Sequence, residues 1–177
     1  MNAYIRPLQP ADRPAVQRLF EETWNFRKFL SDADAGAFAA SIAADILRSS
    51  DYHRGVFTGS QLAALIAGSS AGGQSQANTL EILIVHPRFQ RLGLGSRLLS
   101  GFEDWCSAAN RLPLQTVSDS ECQWKFYEKN GFSLTEEKKM EVSGRDVVFY
   151  YFEKPLKPAS QFDAEIPVMT FTSRLSA

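Results

Sequence analysis

The sequence predicts an α/β (α+β) domain in which helices flank one central sheet of about seven strands. Apolar runs of strand length alternate with segments of helical periodicity, in the order β-α-α-β-β-β-α-β-α-β-β. Glycine-containing turns separate neighbouring strands at Gly59 and Gly144. The 177 residues are 44% apolar and 22% charged, which is enough for one domain with its own core.

The first third of the chain predicts one strand and two helices. Residues 3–8 form a short apolar strand. Asp12 is a good N-cap, and Pro14 fits the first turn of the helix that follows, so we expect a helix as far as about residue 24. A second helix is predicted over residues 34–47, where Phe38, Ile42 and Ile46 recur at helical spacing.

The middle third predicts three strands. Residues 55–58 and 62–68 flank a Gly-Ser pair at 59–60, which is the pattern of a hairpin. Residues 69–78 are small or polar and predict a loop. Residues 80–85 form an apolar strand whose one charge is Glu81.

The last third predicts two helices and three strands. An amphipathic helix is indicated by apolar residues that recur every three or four positions: Leu94, Leu98, Phe102, Trp105 and Ala109. A strand follows at 112–117, and a shorter helix at 121–129 ends where Gly131 supplies a left-handed C-cap. Strands at 134–142 and 146–153 complete the pattern.

Composition and charge argue against several functional classes. The net charge of −1 does not favour a nucleic-acid or anionic-membrane surface, and no stretch approaches the ~20 apolar residues of a membrane span. The first ten residues lack the pattern of a signal peptide, so we expect a cytoplasmic protein. Cys106 and Cys122 stand in no metal-ligand spacing, which predicts two buried thiols and no metal.

The segment HPRFQRLGLGSRLL between the strand at 80–85 and the next helix has the features of a phosphate-binding turn. The first N–H groups of a helix have no internal partners and carry the positive end of its dipole. Gly93 and Gly95 remove side chains from the approach, and Arg91 and Arg97 add positive charge. The spacing matches neither the Walker turn nor the three-glycine dinucleotide motif. On spacing alone, an ordinary packing turn is the alternative.

Two motifs in this order resemble the signatures of the GNAT superfamily of N-acetyltransferases. Q-R-L-G-L-G is similar to the acetyl-CoA signature [RQ]-x-x-G-x-[GA], and W-K-F-Y-E-K-N-G-F resembles the second signature. The resemblance covers residues 3–156 and implies a mixed, mostly antiparallel sheet with a splay between strands 4 and 5. We therefore expect a GNAT domain at 1–157 and a C-terminal tail at 158–177.

The resemblance also implies how acetyl-CoA would be held as cosubstrate. The pantetheine arm would lie in the splay against the backbone of Leu83, Ile84 and Val85. The pyrophosphate would accept from backbone N–H groups of six turn residues: Arg91, Leu92, Gly93, Leu94, Gly95 and Ser96. Ser120 stands where the family often has an Asn that bonds the pantetheine. A capping box with Gln123 is the structural alternative for Ser120, and Ser118 with Glu121 forms a second box.

Transfer to an amine needs a neutral nucleophile, a donor to the oxyanion and a proton for the leaving thiolate. By resemblance, the Val85 N–H polarises the carbonyl and Tyr127 is the general acid; an interior aromatic is the alternative for Tyr127. Glu81 is the leading candidate base because we expect it to share a strand face with Val85, and a solvated edge carboxylate is its alternative. Gln115 stands where some relatives carry a Glu. His86 fits a turn residue better than a base.

The expected function is the transfer of an acetyl group from acetyl-CoA to a primary amine of a small molecule or peptide. The alternative is a GNAT-fold module that binds acetyl-CoA without catalysis. The first two helices and their link would build the acceptor site, with Trp24, Phe26 and Arg27 either lining it or closing the core. The tail has apolar positions that would pack on the domain or on a second subunit of a homodimer: Ile166, Val168, Met169 and Phe171.

Overall fold

The structure, a computed structural model, describes residues 2–23, 32–72, 76–110, 112–142, 145–156 and 169–170. The helices are α1 (Arg13–Thr23), α2 (Asp32–Ser49), α3 (Leu94–Ala109) and α4 (Glu121–Lys129). The strands are β1 (Asn2–Pro7), β2 (Tyr52–Thr58), β3 (Gln61–Ser69), β4 (Asn78–Val85), β5 (Leu114–Ser118), β6 (Ser133–Val142), β7 (Arg145–Lys154) and β8 (Met169–Thr170).

All eight strands belong to one sheet, in the order β6-β7-β5-β4-β3-β2-β1-β8. The β4–β5 pair is parallel, and the other neighbours are antiparallel. The mixed, mostly antiparallel sheet predicted from the sequence is therefore confirmed. The eighth strand is short: Met169 and Thr170 pair with Ala3 and Asn2 of β1. Of the other apolar tail positions, Ile166, Val168 and Phe171 lie outside the described residues.

Helices cover both faces of the sheet, so that β3 in the centre is buried on both sides. On one face, α1 and α2 pack with side chains of the sheet into a core that includes Val16, Leu19, Phe20, Ala43 and Ile46. On the other face, α3 and α4 form a second core that includes Leu80, Leu98, Phe102, Leu114, Tyr127 and Phe152. The periodicity of α3 thus predicted its buried face correctly.

The start of α1 differs from the prediction. Asp12 is not the N-cap of the helix but the last residue of a 3₁₀ turn at Pro10–Asp12. Its carboxylate accepts from the Gln9 N–H at 2.7 Å and from both terminal nitrogens of Arg6 at 2.6 and 2.7 Å. The Arg6 guanidinium lowers the pKa of Asp12. This bidentate ion pair, which spacing along the chain does not reveal, explains why Asp12 turns back to β1.

A buried amide pair fixes where β4 begins beside β5. Asn78 is fully buried, and its side chain bonds Asn110 in both directions, at 3.0 and 2.9 Å. It also donates to the Leu112 carbonyl at 2.8 Å and accepts from the Ala71 N–H at 2.9 Å. Every hydrogen-bonding position of the amide is therefore used. The network sets Asn78 opposite Leu114, the first parallel pair.

A β-bulge in β4 follows the last parallel pair. Leu80 is opposite Thr116 of β5, and beyond it β5 has no partner on β4. On the other side, Gly68 pairs with Leu80 and Ala67 with Ile82, which leaves Glu81 as the extra residue of β4. Because a bulge bends its strand, β4 leaves β5 at this point.

Glycine is required opposite the bulge. A Cβ on Gly68 would lie 2.4 Å from Cζ of Phe102 and 2.5 Å from the Thr79 carbonyl oxygen. The Phe102 ring is fully buried, and the Thr79 oxygen belongs to the backbone, so neither has an easy way to retreat. The close approach of β3 to α3 therefore depends on the missing side chain.

Gly68→Ala is expected to lower the free energy of unfolding by about 2–3 kcal/mol, because the added methyl overpacks the core at the bulge. The matched control is Gly36→Ala in α2, where nothing lies within 4 Å of the new methyl. That change should raise the stability by about 0.5–1 kcal/mol through helix propensity. Urea denaturation measures both. Equal stability of the two variants would show that the bulge tolerates a side chain at Gly68.

Candidate functional site

A gap opens in the sheet between β4 and β5. The two strands pair at three positions, and residues 81–85 of β4 have a partner strand only on the β3 side. Antiparallel pairing sends the backbone groups of successive residues to alternate sides. The His86 N–H donates to the Ala63 carbonyl at 2.9 Å, and Ile84 lies opposite Leu65, so these alternate positions face β3.

By the same alternation, the backbone groups of Leu83 and Val85 face the gap, whereas those of Ile84 face β3. The Val85 carbonyl confirms its direction, because it accepts from Gln90 Nε2 at 3.2 Å, away from β3. Of the three residues expected at the gap, Leu83 and Val85 thus direct their backbone N–H and C=O groups into it, and Ile84 does not. The sequence places Gln90 at the start of the turn but does not predict its contact with Val85, which depends on how the turn folds back.

The turn after β4 forms a cradle of backbone N–H groups. Arg91 has a φ of 65° and Gly93 a φ of 77°, both in the left-handed region. Gly93 is the N-cap of α3, and the Arg97 N–H is the first to bond inside the helix, to the Gly93 carbonyl at 3.1 Å. The N–H groups of the first helical residues Leu94, Gly95 and Ser96 are consequently unused by the helix. Such an arrangement binds anions.

The two glycines of the turn have different roles. Gly93 is exposed, and a Cβ there would meet nothing within 4 Å. Gly95 is buried, and a Cβ there would lie 3.3 Å from the Phe126 ring and 3.5 Å from Val85. The space beside Gly93 is therefore open, whereas the missing side chain of Gly95 allows α3 to pack closely on α4 and β4.

His86 is a turn residue, as its place before Pro87 predicted. Its Nδ1 accepts from the Arg88 N–H at 3.1 Å, and its Nε2 lies 3.0 Å from a carboxylate oxygen of Glu22. Because Nδ1 accepts, Nε2 carries the hydrogen that it donates to Glu22. Both ring nitrogens are occupied, so the His86 side chain links the end of α1 to the turn and has no free position for a proton from a substrate.

Tyr127 approaches the apex of the gap from the α3–α4 face. It is 6% exposed, and its ring lies 5.1 Å from that of Phe152 and 5.4 Å from that of Phe132. Burial raises the pKa of Tyr127, and the neighbouring Thr116 hydroxyl partly opposes this. Thr116 itself donates to the Leu80 carbonyl at 3.0 Å, which closes the apex. The phenol is therefore protonated across the neutral range.

Glu81 does not share a strand face with Leu83 and Val85, contrary to the expectation from simple alternation. Leu80 and Leu83 both pack on the α3–α4 core, although they are three residues apart. The bulge interrupts the alternation between them. Glu81 turns instead to the α2 side of the sheet, where it is exposed.

Two serine hydroxyls hold the Glu81 carboxylate. Ser50, which follows α2, donates to Oε2 at 2.6 Å, and Ser69 at the end of β3 donates to Oε1 at 2.5 Å. Sequence reasoning missed both serines, because their contacts with Glu81 cross 31 and 12 positions of the chain. Thr116 was missed as well, and only its polar hydroxyl inside an apolar strand could have signalled it.

The capping box that was the structural alternative for Ser120 is not formed. Ser120 is the N-cap of α4, but its side chain makes no capping bond. The Ser118 hydroxyl instead accepts from the Ser120 N–H at 3.1 Å and donates to Gln123 Oε1 at 2.8 Å. The side chain of Glu121 lies outside the described part of the chain. The hydroxyl of Ser120, two residues beyond β5, therefore makes no capping bond.

The remaining expected residues lie away from this centre or outside the described residues. Gln115 donates to Glu153 at 2.8 Å on the exposed face of β5. Trp24, Phe26 and Arg27, the expected acceptor residues, lie outside the described residues. Burial raises the pKa of the Cys106 thiol to about 12, which makes it unreactive. The Cys122 side chain is also outside the described residues.

Among the described helices, none has both the length and the apolar character of a membrane span. Within the described ranges, no three His, Cys, Asp or Glu side chains are grouped as metal ligands would be.

The arrangement joins four chemical features around one gap. The turn offers N–H groups to an anion, the open edge of β4 offers backbone groups to an extended polar arm, and Tyr127 offers a protonated phenol. On the opposite face, Glu81 offers a carboxylate that accepts protons. The site fits a long anionic ligand whose reactive end reaches the apex.

A family model described as an acetyltransferase (GNAT) domain matches residues 25–153. A GCN5-related N-acetyltransferase from Rhodopseudomonas palustris has a similar fold, with a TM-score of 0.68 at 17% identity over 88% of this chain and 97% of that one. The ribosomal-protein-S18-alanine N-acetyltransferase from Escherichia coli matches with a TM-score of 0.68 at 18% identity, over 90% and 97% of the two chains.

The PaiA N-acetyltransferase from Thermoplasma acidophilum, solved in complex with coenzyme A, matches with a TM-score of 0.67 at 20% identity, over 88% of this chain and 99% of that one. No curated protein matches the sequence. At these identities, the likeness to solved structures shows the fold.

The two serines before α4 are expected to differ in their effect on stability. Ser118→Ala removes a buried hydroxyl with two partners and should lower the free energy of unfolding by about 1–2 kcal/mol. Ser120→Ala removes no capping bond and should change it by less than about 0.5 kcal/mol. Chemical denaturation of the two variants checks this. A larger loss for Ser120→Ala would show that its side chain does cap α4.

Proposed function

Because the acetyltransferase model matches most of its length, this protein belongs to the GNAT acetyltransferase family, and we propose that it transfers the acetyl group of acetyl-CoA to a primary amine. The amine attacks directly while both substrates are bound. The observation that carries the proposal is the parallel β4–β5 pair, which opens after Leu80 and Thr116. From there the gap follows β4 to the turn that holds the N–H cradle of residues 91–96.

The geometry supports acetyl-CoA as the acetyl donor. The cradle fits the pyrophosphate, with the N–H groups of Leu94, Gly95 and Ser96 as donors and Gly93 leaving the approach open. The pantetheine arm, which carries amide groups, would pair with the gap-facing backbone of Leu83 and Val85. The Ser120 hydroxyl would reach the arm from the β5 side.

Backbone N–H groups at the gap would stabilise the charge that develops on the thioester oxygen. Leu83 and Val85 each direct an N–H group into the gap, and we assign the carbonyl contact to Leu83 and not to Val85, because Leu83 lies nearer the apex where Tyr127 would meet the sulfur. A strand rises about 3.3 Å per residue, so Leu83 lies about 7 Å along β4 from Glu81. A proton that travels from the acceptor to Glu81 therefore passes through water.

The acid and the base act from opposite faces of the sheet. Glu81 receives one proton from the acceptor ammonium, through water, and leaves a neutral amine. As the new N–C bond forms and the C–S bond breaks, Tyr127 gives its phenol proton to the departing sulfur. The second proton lost from nitrogen returns to Tyr127 through solvent, and Glu81 releases its proton to solvent. The products are an amide, coenzyme A and one proton.

The acceptor is proposed to be a primary amine of a small molecule or a peptide. Of the structural neighbours, one is named for an alanine of a ribosomal protein, and this supports an amine as the acceptor class. The alternative is a non-catalytic module that only holds acetyl-CoA, and it would bind the pyrophosphate in the same cradle. It differs in requiring neither Tyr127 nor Glu81, so turnover distinguishes the two.

Gly93→Asp is expected to weaken acetyl-CoA binding about tenfold or more, because a carboxylate would face the pyrophosphate. Asp tolerates the left-handed backbone that Gly93 adopts, so the fold should persist. Gly93→Asn, without the charge, should weaken binding less. Isothermal titration calorimetry measures both affinities.

The matched control is Gly59→Asp in the β2–β3 hairpin, where φ is 60° and nothing lies within 4 Å of the new Cβ. It imposes the same backbone demand far from the cradle and should bind acetyl-CoA like the wild type. Wild-type affinity in folded Gly93→Asp would contradict the assignment of the cradle.

Tyr127→Phe is expected to reduce kcat by roughly 10²–10⁴ while acetyl-CoA affinity stays unchanged, because the ring remains and the acidic proton is lost. The measurement is coenzyme A release with an accepted amine, chosen from a panel with the wild-type protein. A kcat within about threefold of the wild type would leave Tyr127 as an interior aromatic only. Tight binding with no transfer to any amine would favour the non-catalytic module.

A further inference from the structure

Two serine hydroxyls from separate elements converge on one exposed carboxylate. Ser50 follows α2 and is 8% exposed, and Ser69 ends β3. They donate to the two different oxygens of Glu81, at 2.6 and 2.5 Å. Hydrogen bonds from hydroxyls to a carboxylate are short and strong for their type.

The two hydrogen bonds fix the orientation of the Glu81 carboxylate. An exposed glutamate on a strand would ordinarily exchange among several rotamers, at little energetic cost. With one bond on each oxygen, the carboxylate plane of Glu81 is held, and each oxygen keeps a lone pair for a water molecule. Neither serine can take up a proton itself at neutral pH. Of these three side chains, Glu81 is therefore the one that would accept the proton.

The two serine–glutamate hydrogen bonds lie beside the gap between β4 and β5. Glu81 is the bulge residue directly after the last β4–β5 pair, and it faces the α2 side. Tyr127 approaches the same apex from the α3–α4 face. An acceptor that meets a donor bound from the α3 side must enter from the α2 side, because the attack passes through the gap.

We propose that Ser50 and Ser69 are positioning residues, which hold the Glu81 carboxylate on the acceptor side so that it takes the ammonium proton through an ordered water. The inference rests on the proposed amine acetylation. The proton leaves the ammonium nitrogen for water, that water gives a proton to Glu81, and both serines keep their own protons.

A purely structural role is the competing explanation. Ser50 and Ser69 also lie at the corner where the end of α2 meets the β3–β4 connection. A second contact already serves that purpose: the Asp51 carboxylate accepts from the Ser70 N–H at 3.1 Å and from the Ser70 hydroxyl at 3.4 Å. Ser70→Ala thus offers a control that removes one hydroxyl bond of this corner without touching Glu81.

The test compares Ser50→Ala, Ser69→Ala and the double variant with Ser70→Ala as the matched control. Each single variant is expected to lower kcat about tenfold, and the double variant should approach Glu81→Gln. The KM for acetyl-CoA should stay within about twofold, since the cradle is untouched. Ser69→Thr, which restores a hydroxyl on a strand, should recover kcat. Ser70→Ala should keep the wild-type kcat.

The outcomes distinguish a failure of the role assigned to the two serines from a failure of the proposed function. If the wild-type protein transfers acetyl groups but the serine variants keep its kcat, the inference is overturned and the proposed function stands. If Ser70→Ala lowers kcat as much as Ser69→Ala does, or Ser69→Thr fails to recover it, the serines act through the corner and the inference is again overturned. If no amine is acetylated by the wild type, both the inference and the proposed function fall.

Discussion

The β-bulge at Glu81 is the constraint on which the gap in the sheet depends. Pairing between β4 and β5 holds as far as Leu80 and Thr116, and the extra residue then bends β4 away. The closed end is held by the paired side-chain amides of Asn78 and Asn110. Gly68 makes the bulge possible, because no side chain fits between β3 and the ring of Phe102. Ligand access is therefore a consequence of local strand geometry.

The two faces of the sheet carry different parts of the proposed chemistry. The α3–α4 face supplies the N–H cradle and a phenol whose pKa is raised by burial. The α2 face supplies an exposed carboxylate, which two hydroxyls orient. The gap connects the faces, so a donor held on one side and an acceptor on the other would meet in line. His86 joins these layers as well, through its bond to Glu22 at the end of α1.

The differences between sequence and structure at the site have one common cause. Glu81 was expected beside Val85 because strand side chains alternate, and the bulge reversed its face. A capping box was the structural alternative for Ser120, but the Ser118 hydroxyl bonds Gln123 in its place. Gly95 was expected to leave room for the ligand, and it also allows α3 to pack closely on Phe126 of α4. In each case a contact with another element adds to, or overrides, what neighbours in the chain predict.

The sequence by itself determined the order of seven strands and four helices and the turn that begins α3, because periodicity and glycine positions act over a few residues. The resemblance to the family came from its two signature motifs. The bounds predicted for α4 and the left-handed Gly131 agree with the structure for the same reason. Only the tertiary structure decided which face Glu81 occupies, which serines hold it and which backbone groups enter the gap. Those features depend on register and bulges across strands, where one extra residue changes every orientation that follows.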